Sequence, residues 1–334
     1  MEQRSCSAVV FPRPLEAAVV EVNLPPMGAG DILIEVAWSA VSPGTERWCL
    51  QGMLEGTDGA PVAFPHVPGY QAAGVVREVG TAVTGLRPGD RVFSRNCRAP
   101  HGWPGSWWGG HVGMHVAGPN DVLRLPDEVS LRAASSLLLA QVGTNGANRP
   151  RVAPGDLAVV IGDGLVGQFA AQVLRHRGAR VFLSGLVDVR LDLARRHSAD
   201  DVFDASRGDF AAFVRERAPG GVAVAVETAG TAATVRQAAE LLRPGGELVM
   251  NGYYPGVESR VDWRWLRARE LTLHCPNSRT RGRLEATLGL MRRGVLKVEE
   301  LVTHVLPVTA APAAYQLLLA ADRRSLGILF RWSA

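Results

Sequence analysis

Lysine, long apolar runs and clustered basic charge are all scarce in this 334-residue chain. Lys297 is the only lysine among 36 basic residues, which are scattered and leave a net charge of only +4. Such a mild charge argues against a nucleic-acid or membrane-surface partner. No segment approaches the roughly 18 apolar residues that span a bilayer, and the first residues lack the apolar stretch of a signal peptide. We therefore expect a cytoplasmic protein.

Cysteine is also sparse, and its spacing argues against a disulfide framework and against a C-x-x-C motif. The four cysteines, Cys6, Cys49, Cys97 and Cys275, are far apart, and no C-x-x-C occurs. This pattern does not indicate a disulfide framework. The ordinary content of hydrophobic residues (47%) and charged residues (20%) is typical of a soluble globular protein. The length suggests two domains.

The chain changes character near residue 130. Before it, short strand candidates such as residues 32–38 and 73–80 alternate with Gly- and Pro-containing turns, which indicates an antiparallel, barrel-like domain. After a helix predicted at 131–146, apolar strands alternate with helices. The predicted strands are 157–161, 180–184, 222–227, 247–251 and 271–273, and the helices are 167–177, 190–197, 209–217 and 231–242. This alternation predicts a parallel sheet with helices on both faces.

A glycine motif follows the first of these strands. Gly162, Gly164 and Gly167 form Gly-x-Gly-x-x-Gly between an apolar strand and a helix, the context that gives this otherwise weak motif a mechanism. Gly162 would allow the tight turn, Gly164 the approach of a pyrophosphate, and Gly167 close packing of helix on strand. The alternative is an ordinary strand-to-helix turn; we favour a dinucleotide site.

The choice between NAD and NADP stays open. No acid stands at the end of the second strand, where one would bind the ribose of NAD; the chain there reads Ser184-Gly185. Asp188 could serve only if its loop curls back. Ser184 and Arg190 could instead meet the 2′-phosphate of NADP, although Arg190 could equally be just the first residue of a helix. The lean is slight, toward NADP or dual use.

Six motifs in order carry a resemblance to a known family. They are Ala40-Val41-Ser42-Pro43-Gly44-Thr45-Glu46, Val67-Pro68-Gly69-Tyr70-Gln71, residues 88–92, the glycine motif, residues 242–246 and residues 301–304. In this series the chain resembles the medium-chain dehydrogenase/reductase superfamily over nearly its whole length. Residues 42–47, the Val-Pro-Gly-Tyr stretch and residues 328–332 look most like the bacteriochlorophyllide dehydrogenase-like branch.

The resemblance implies a fold in which a doubly wound Rossmann sheet is inserted in a GroES-like antiparallel β-barrel catalytic domain. The catalytic domain would comprise residues 1–130 and 276–334, and the Rossmann domain residues 131–275, with the active site in the cleft. It also implies a homodimer, a small-molecule substrate, and NAD or NADP as cofactor.

The chain departs from the zinc-dependent members at each metal ligand. Ser42 or Pro43 stands in place of the ligand cysteine, Gly69-Tyr70-Gln71 replaces Gly-His-Glu, and the third ligand position falls near Leu139. The region of the structural zinc, residues 93–110, contains only Cys97. A catalytic zinc needs three deprotonated sulfur, imidazole or carboxylate ligands, so we expect no metal.

Without zinc, side chains must handle the proton of the alcohol. Tyr70 either donates a hydrogen bond to the substrate oxygen or merely fills the space of the metal. Thr45 resembles a proton-relay hydroxyl, and Glu46 is a candidate base or a partner for an arginine such as Arg47. The candidate substrate contacts are Ser42, His66, His111 and Tyr254. The aromatic segment 101–108 could stack on a ring substrate, but packing of a loop is favoured.

The cofactor contacts combine the glycine turn, the second strand end and segments that resemble those flanking the nicotinamide. They are Gly162, Gly164, Leu165, Val166, Gly167, Ser184, Gly185, Arg190, Thr144, Glu227, Thr228, Asn251, Gly252 and Tyr253. Three functions remain: a zinc-independent dehydrogenase or ketone reductase for a polyol, sugar-like or ring-bearing secondary alcohol; a zinc-free quinone or enoyl reductase; and a non-catalytic dinucleotide-binding protein. The polar set around Tyr70 favours the first.

Overall fold

The computed structural model describes residues 4–54, 61–254, 263–320 and 324–332. Its contacts divide the chain into two compact units, one of Met1–Leu138 with Val302–Ala334 and the other of Leu139–Leu301. The second unit is therefore inserted, in sequence, between two parts of the first. It extends beyond residue 275, the boundary expected from the sequence. The reason is local bonding: the Gln172 side chain accepts from the backbone N–H of Lys297 at 2.9 Å, and Gln141 donates to the carbonyl of Ser278 at 3.4 Å.

Strands alternate with helices in the middle of the chain and cluster at its two ends. The described strands are β1 (Ser5–Val10), β2 (Ala18–Asn23), β3 (Ile32–Ala40), β4 (Ala72–Val79), β5 (Arg91–Ser94), β6 (Met114–Ala117), β7 (Val122–Arg124), β8 (Leu157–Ile161), β9 (Arg180–Gly185), β10 (Asp201–Asp204), β11 (Val222–Glu227), β12 (Leu242–Met250), β13 (Thr272–His274), β14 (Val302–Pro307) and β15 (Gly327–Arg331). The described helices are α1 (Pro43–Leu50), α2 (Leu131–Ala134), α3 (Leu137–Ala147), α4 (Leu165–His176), α5 (Asp188–His197), α6 (Phe210–Arg217), α7 (Ala232–Leu241), α8 (Trp263–Ala268), α9 (Arg281–Arg292) and α10 (Ala311–Leu319).

The first unit is built on a sheet whose described strands run in the order β14-β15-β3-β4-β5-β7, with β6 also paired to β3. All pairs are antiparallel except β14 with β15. This is the barrel-like sheet of a GroES-like domain. The register places Phe330 of β15 opposite Ser39 of β3, so the last strand of the chain lies beside the segment that leads into α1.

The second unit contains a sheet whose described strands run in the order β10-β9-β8-β11-β12-β13, all parallel. Its central strands are apolar throughout, for example Val222–Glu227 with every residue buried, as expected for strands covered on both faces. The strand order reverses between β8 and β11. A doubly wound sheet binds its ligand at the carboxyl ends of the strands at such a switch point, which is where the glycine motif lies.

One local difference from the sequence prediction concerns the helix after residue 130. The helix expected over residues 131–146 is divided into α2 and α3, with Ser135 between them. The Ser135 hydroxyl donates to the carbonyl of Arg132 at 2.8 Å and so competes with the helical hydrogen bonds at this point.

In the described residues, no helix combines the length and apolar character needed to cross a membrane.

Candidate active site

The first unit contains a hydrogen-bonded pair of hydroxyl groups at two positions that the resemblance assigns to zinc ligands. Ser42 is the extended residue that precedes α1, and Tyr70 follows Gly69 just before β4. The phenol of Tyr70 donates a hydrogen bond of 2.6 Å to the Ser42 hydroxyl. Ser42 is almost fully buried and Tyr70 is half-buried. The pair therefore joins a buried hydroxyl to a phenol that is partly accessible to solvent.

Gly69 fixes the backbone at Tyr70. Its φ of +78° is left-handed, a conformation that costs any residue with a side chain. A Cβ at this position would also lie 2.6 Å from the ring of His111. The imidazole of His111 therefore packs directly on the backbone that carries Tyr70.

The carboxylate of Glu46 lies behind the hydroxyl pair, one turn into α1. It is fully buried. Oε1 accepts the backbone N–H of Ser42 at 2.7 Å, and Oε2 accepts from Nε2 of His111 at 3.0 Å and from the hydroxyl of Tyr315 at 2.6 Å. Burial, followed by the charge of Glu46, raises the pKa of Tyr315 well above its ordinary value, so Tyr315 stays a proton donor. Glu46 thereby anchors the backbone of Ser42.

The hydrogen-bond network also assigns the tautomer of His111. Trp332 Nε1 donates to the Ser39 hydroxyl at 2.8 Å, and that hydroxyl lies 2.7 Å from Nδ1 of His111. A carboxylate can only accept, so Nε2 of His111 carries the proton that faces Glu46. With Nδ1 as the acceptor of that tautomer, the Ser39 hydroxyl donates to Nδ1 and accepts from the indole N–H of Trp332. Every polar atom in this chain of contacts is matched.

Two of the predicted site residues lie behind the hydroxyl pair. Glu46, a candidate base or a partner for an arginine such as Arg47, and His111, a candidate substrate contact, are both fully buried and bonded to partners inside the first unit. Thr45, predicted as a relay hydroxyl, is half-buried on α1. The sequence did not indicate Ser39, Tyr315 or Trp332 as members of this network.

His66 was predicted to contact substrate and lies fully buried beside aromatic rings. Its imidazole is 5.1 Å, edge-on, from the ring of Trp108 and 5.9 Å from that of Phe11. Neither ring nitrogen has a hydrogen-bond partner among the described residues. Burial lowers the pKa of His66 to about 4, so the ring is neutral at physiological pH.

The aromatic segment 101–108 divides into packing residues and one residue beside the hydroxyl pair. Trp103 and Trp107 meet edge-on at 5.1 Å and donate to backbone carbonyls, those of Pro65 and Ser106 for Trp103 and that of Cys97 for Trp107. Trp108 lies 6.2 Å from the ring of Tyr70. Packing therefore accounts for Trp103 and Trp107, while Trp108 flanks Tyr70.

The donor set does not fit a catalytic zinc. The positions that the resemblance assigns to the ligands carry Ser42 or Pro43, Tyr70 and, near the third, Leu139, whereas zinc sites use thiolate, imidazole and carboxylate. In the region of the structural zinc, burial raises the pKa of the Cys97 thiol to about 12, which disfavours the thiolate that binds metal. In the part of the chain that the structure describes, no three His, Cys, Asp or Glu side chains are placed to share a metal ion.

The second unit presents the glycine turn in a form that fits a dinucleotide. Gly162 has a φ of +121°, and a Cβ at Gly167 would lie 2.1 Å from the carbonyl of Gly162, so the helix starts tightly against the turn. At Gly164, by contrast, a Cβ would have nothing of the chain within 4 Å. The chain itself gives no steric reason for that glycine, whereas an approaching pyrophosphate does. Leu165 and Val166 open α4, whose N-terminus favours phosphate.

Other predicted cofactor residues surround this turn. Gly143 packs its backbone against Val166, which brings its neighbour Thr144 to the start of α4; the buried Thr144 hydroxyl has no partner among the described residues. The Thr228 hydroxyl donates to the carbonyl of Ile161 at 3.0 Å, and Asn251 donates to the carbonyl of Val142 at 3.1 Å. The orphaned Thr144 hydroxyl is a donor that a bound dinucleotide could satisfy.

Glu227 organises the adjoining loop from within. It is fully buried, and Oε1 accepts the N–H groups of Ala229 and Gly230 at 2.8 Å each and the hydroxyl of Thr234 at 2.7 Å. Tyr254 donates its phenol to Oε2, so this residue, predicted to bind substrate, is held in the second unit by Glu227. Burial, then this carboxylate, raises the pKa of Tyr254.

Two further predicted residues lie close to that loop. Gly252 approaches the backbone of Gly230, since a Cβ on Gly252 would lie 2.9 Å from the Gly230 Cα. Tyr253 is 47% exposed. The loops that follow β11 and β12 therefore meet beside the turn.

A carboxylate from the glycine turn lies at the end of β9, and the sequence did not predict it there. Ser184 is buried, and its carbonyl accepts the N–H of Gly162 at 2.9 Å. Asp163, within the glycine motif, reaches across to the segment after Gly185, and its carboxylate pairs with Arg190 at 3.4 Å. The only signal in the sequence was an acid inside the motif itself.

Comparisons with known proteins agree with this architecture. Residues 28–127 match the model of the alcohol dehydrogenase GroES-like domain, and residues 166–292 match that of the zinc-binding dehydrogenase family. The chain is 30% identical over 308 residues to the L-threonine 3-dehydrogenase of Anaeromyxobacter dehalogenans (strain 2CP-C), covering 85% of this chain and 86% of that protein.

Two further matches extend over almost the full length. The 2-desacetyl-2-hydroxyethyl bacteriochlorophyllide A dehydrogenase of Cereibacter sphaeroides is 26% identical and covered to 98%, as is this chain. The NADP-bound structure of a protein assigned as a zinc-binding dehydrogenase from Sinorhizobium meliloti 1021 superposes with a TM-score of 0.86 at 22% identity, covering 99% of this chain and 100% of that one. The chain therefore belongs to the medium-chain dehydrogenase/reductase superfamily of NAD(P)-dependent oxidoreductases.

Proposed function

We propose that this protein is a zinc-independent NAD(P)-dependent oxidoreductase that interconverts a secondary alcohol and its ketone, on a polyol, sugar-like or ring-bearing substrate. The observation that carries the proposal is the 2.6 Å hydroxyl pair of Tyr70 and Ser42 at the positions where zinc-dependent relatives bind their metal. When bound, the nicotinamide supplies or accepts the hydride. The pair holds the substrate oxygen and its proton.

The two hydroxyls replace the Lewis acid by hydrogen bonding. A phenol O–H is a hydrogen-bond donor, and that of Tyr70 donates to Ser42. In the reduction direction, Tyr70 or Ser42 donates to the carbonyl oxygen as negative charge develops there, which is general-acid assistance of about 10²–10⁴-fold. Because Tyr70 donates to Ser42, the Ser42 hydroxyl keeps its own proton to offer.

Glu46 acts as a positioning residue in this proposal. Its carboxylate is fully buried and accepts three hydrogen bonds, so it is bonded inside the unit instead of toward a substrate. Its contact with the N–H of Ser42 fixes the residue that meets the substrate. His111 and Tyr315 hold Glu46 in turn.

The names of the relatives support the substrate class. One relative is an L-threonine 3-dehydrogenase, and another acts on a compound whose name includes a hydroxyethyl group. Both relatives are named as dehydrogenases. Conjugate reduction of a C=C bond also takes up one hydride and one proton, but its proton ends on carbon. The hydroxyl donors of Tyr70 and Ser42 suit an oxygen acceptor, which favours the alcohol–ketone reaction.

The test is a screen of secondary alcohols and ketones with NADH, NADPH and their oxidised forms. Tyr70→Phe should lower kcat by about 10²–10⁴-fold, and Ser42→Ala should lower it by at least about tenfold, with unfolding midpoints near wild type. Ser206→Ala, which removes an exposed serine hydroxyl, is the matched control and should turn over normally.

Metal analysis tests the other half of the proposal. Purified active protein should contain far less than one zinc per chain and keep its activity after chelation. Unchanged turnover in both site variants, or about one tightly held zinc per chain with activity lost on chelation, would overturn the proposal.

A further inference from the structure

Asp163 bridges the glycine turn and the loop after the second strand of the dinucleotide sheet. Its Oδ2 accepts the backbone N–H groups of Leu186 at 2.8 Å and Val187 at 2.9 Å. Its Oδ1 lies 3.4 Å from Nη1 of Arg190, and both side chains of this ion pair are largely buried. One carboxylate thus accepts from two backbone N–H groups just before α5 and pairs with an arginine in the first turn of that helix.

Gly185 makes room for this carboxylate. A Cβ on Gly185 would lie 2.4 Å from both Cβ and Oδ2 of Asp163, a separation that real atoms do not tolerate. Dinucleotide-binding folds place their ribose-binding acid at the end of this strand. In this chain that position cannot hold a side chain while Asp163 is present. The acid is supplied instead from the glycine turn, 22 residues earlier.

The same groups are those that a 2′-phosphate would need. NADP is accommodated near the end of this strand by an arginine, and phosphate oxygens are bound by guanidinium groups and by backbone N–H groups at helix starts. Asp163 already accepts from Leu186 and Val187 and neutralises Arg190. A second anion there would lose these donors and would face a like charge at short range.

We propose that Asp163 makes this protein selective for NAD over NADP, by filling with its own carboxylate the donor set that a 2′-phosphate would occupy. The inference rests on the dinucleotide use in the proposed function and names its cofactor. It reverses the slight lean toward NADP that Ser184 and Arg190 favour in the sequence.

The experiment is direct titration of the full chain with NADH and with NADPH, followed by nucleotide fluorescence. Wild type should bind NADH at least about tenfold more tightly than NADPH, which corresponds to about 1.4 kcal/mol. Asp163→Asn removes the charge at nearly constant volume and should shrink this ratio at least about tenfold, mainly through tighter NADPH binding. Adding Arg190→Ala to that variant should abolish the gain, because Arg190 is the cation released.

Asp192→Asn is the matched control. Asp192 is an exposed acid on the same helix and pairs with Arg195 at 2.6 Å, so its substitution makes the same charge change away from the bridge. The ratio of the two affinities should stay within about twofold of wild type. Circular dichroism and unfolding midpoints report whether each variant is folded.

The outcomes separate the inference from the function on which it rests. Equal or tighter binding of NADPH by wild type overturns the inference, and this measurement needs no variant to fold. An unchanged ratio in folded Asp163→Asn also overturns it. If neither dinucleotide binds to wild type, the proposed function fails and the inference fails with it.

Discussion

Replacing Glu46 by glutamine tests the buried network that holds the site. The carboxylate accepts one hydrogen bond on Oε1, from the N–H of Ser42, and two on Oε2, from His111 and Tyr315. Glutamine has one oxygen and one NH₂ group. With the amide oxygen at the Oε2 position, the NH₂ faces the Ser42 N–H; in the reverse orientation it faces two donors. At least one buried donor therefore loses its acceptor.

The magnitude follows from the better of these two orientations. One unsatisfied buried N–H costs about 1–3 kcal/mol, and the two remaining bonds each lose about 1 kcal/mol when the acceptor is no longer charged. Removing a buried charge relieves part of its desolvation cost, which offsets some of this loss. We expect Glu46→Gln to lower the free energy of unfolding by about 3 kcal/mol.

Urea unfolding followed by tryptophan fluorescence measures this change. Glu21→Gln, at an exposed carboxylate bonded to Ser7, should stay within about 0.5 kcal/mol of wild type. In the enzyme assay, folded Glu46→Gln should lose kcat more than it raises KM, because Ser42 loses its anchored N–H. A stability loss below about 1 kcal/mol at an unchanged m-value would refute the reasoning, as would wild-type kcat.

Two further predictions concern the glycine turn and acid stability. Gly164→Ala should fold normally and weaken NAD(P)H binding at least about tenfold, because its Cβ would enter space that is free of chain atoms. Gly167→Ala should instead lose about 1–3 kcal/mol of stability, because its Cβ would lie 2.1 Å from the carbonyl oxygen of Gly162. Equal melting temperatures and equal binding in the two variants would contradict this. Burial lowers the pKa of His66 to about 4 and that of His115 to about 3, below their ordinary value of 6.5, so between pH 6.5 and 4 the unfolded chain binds protons that the folded chain does not. As the pH falls through this window, the free energy of unfolding should therefore decrease by about 1.4 kcal/mol per pH unit for each histidine. His66→Phe should remove about half of that slope. A flat profile from pH 6.5 to 4.5 would be inconsistent with this prediction.

The parallel sheet shows which strands the local sequence pattern is able to predict. Strands β8 and β11 were predicted with the bounds that the structure gives, Leu157–Ile161 and Val222–Glu227, since continuous apolar runs bounded by turns are a property of the segment itself. Strand β10, Asp201–Asp204, was not predicted. It carries an acid at each end and lies half-buried at the sheet edge, so only its pairing with β9 makes it a strand.

The amino-acid sequence by itself determined the glycine turn, the alternation around it and the absence of zinc-type ligands at Ser42, Tyr70 and Leu139, because each is a matter of residue type within a short segment. Only the tertiary structure decided that Glu46 bonds to Tyr315, 269 residues away, and that Asp163 lies over Gly185. A hydrogen bond between distant segments leaves no periodic trace in either one. Its partners are chosen by strand register and helix packing, which exist only once the chain has folded.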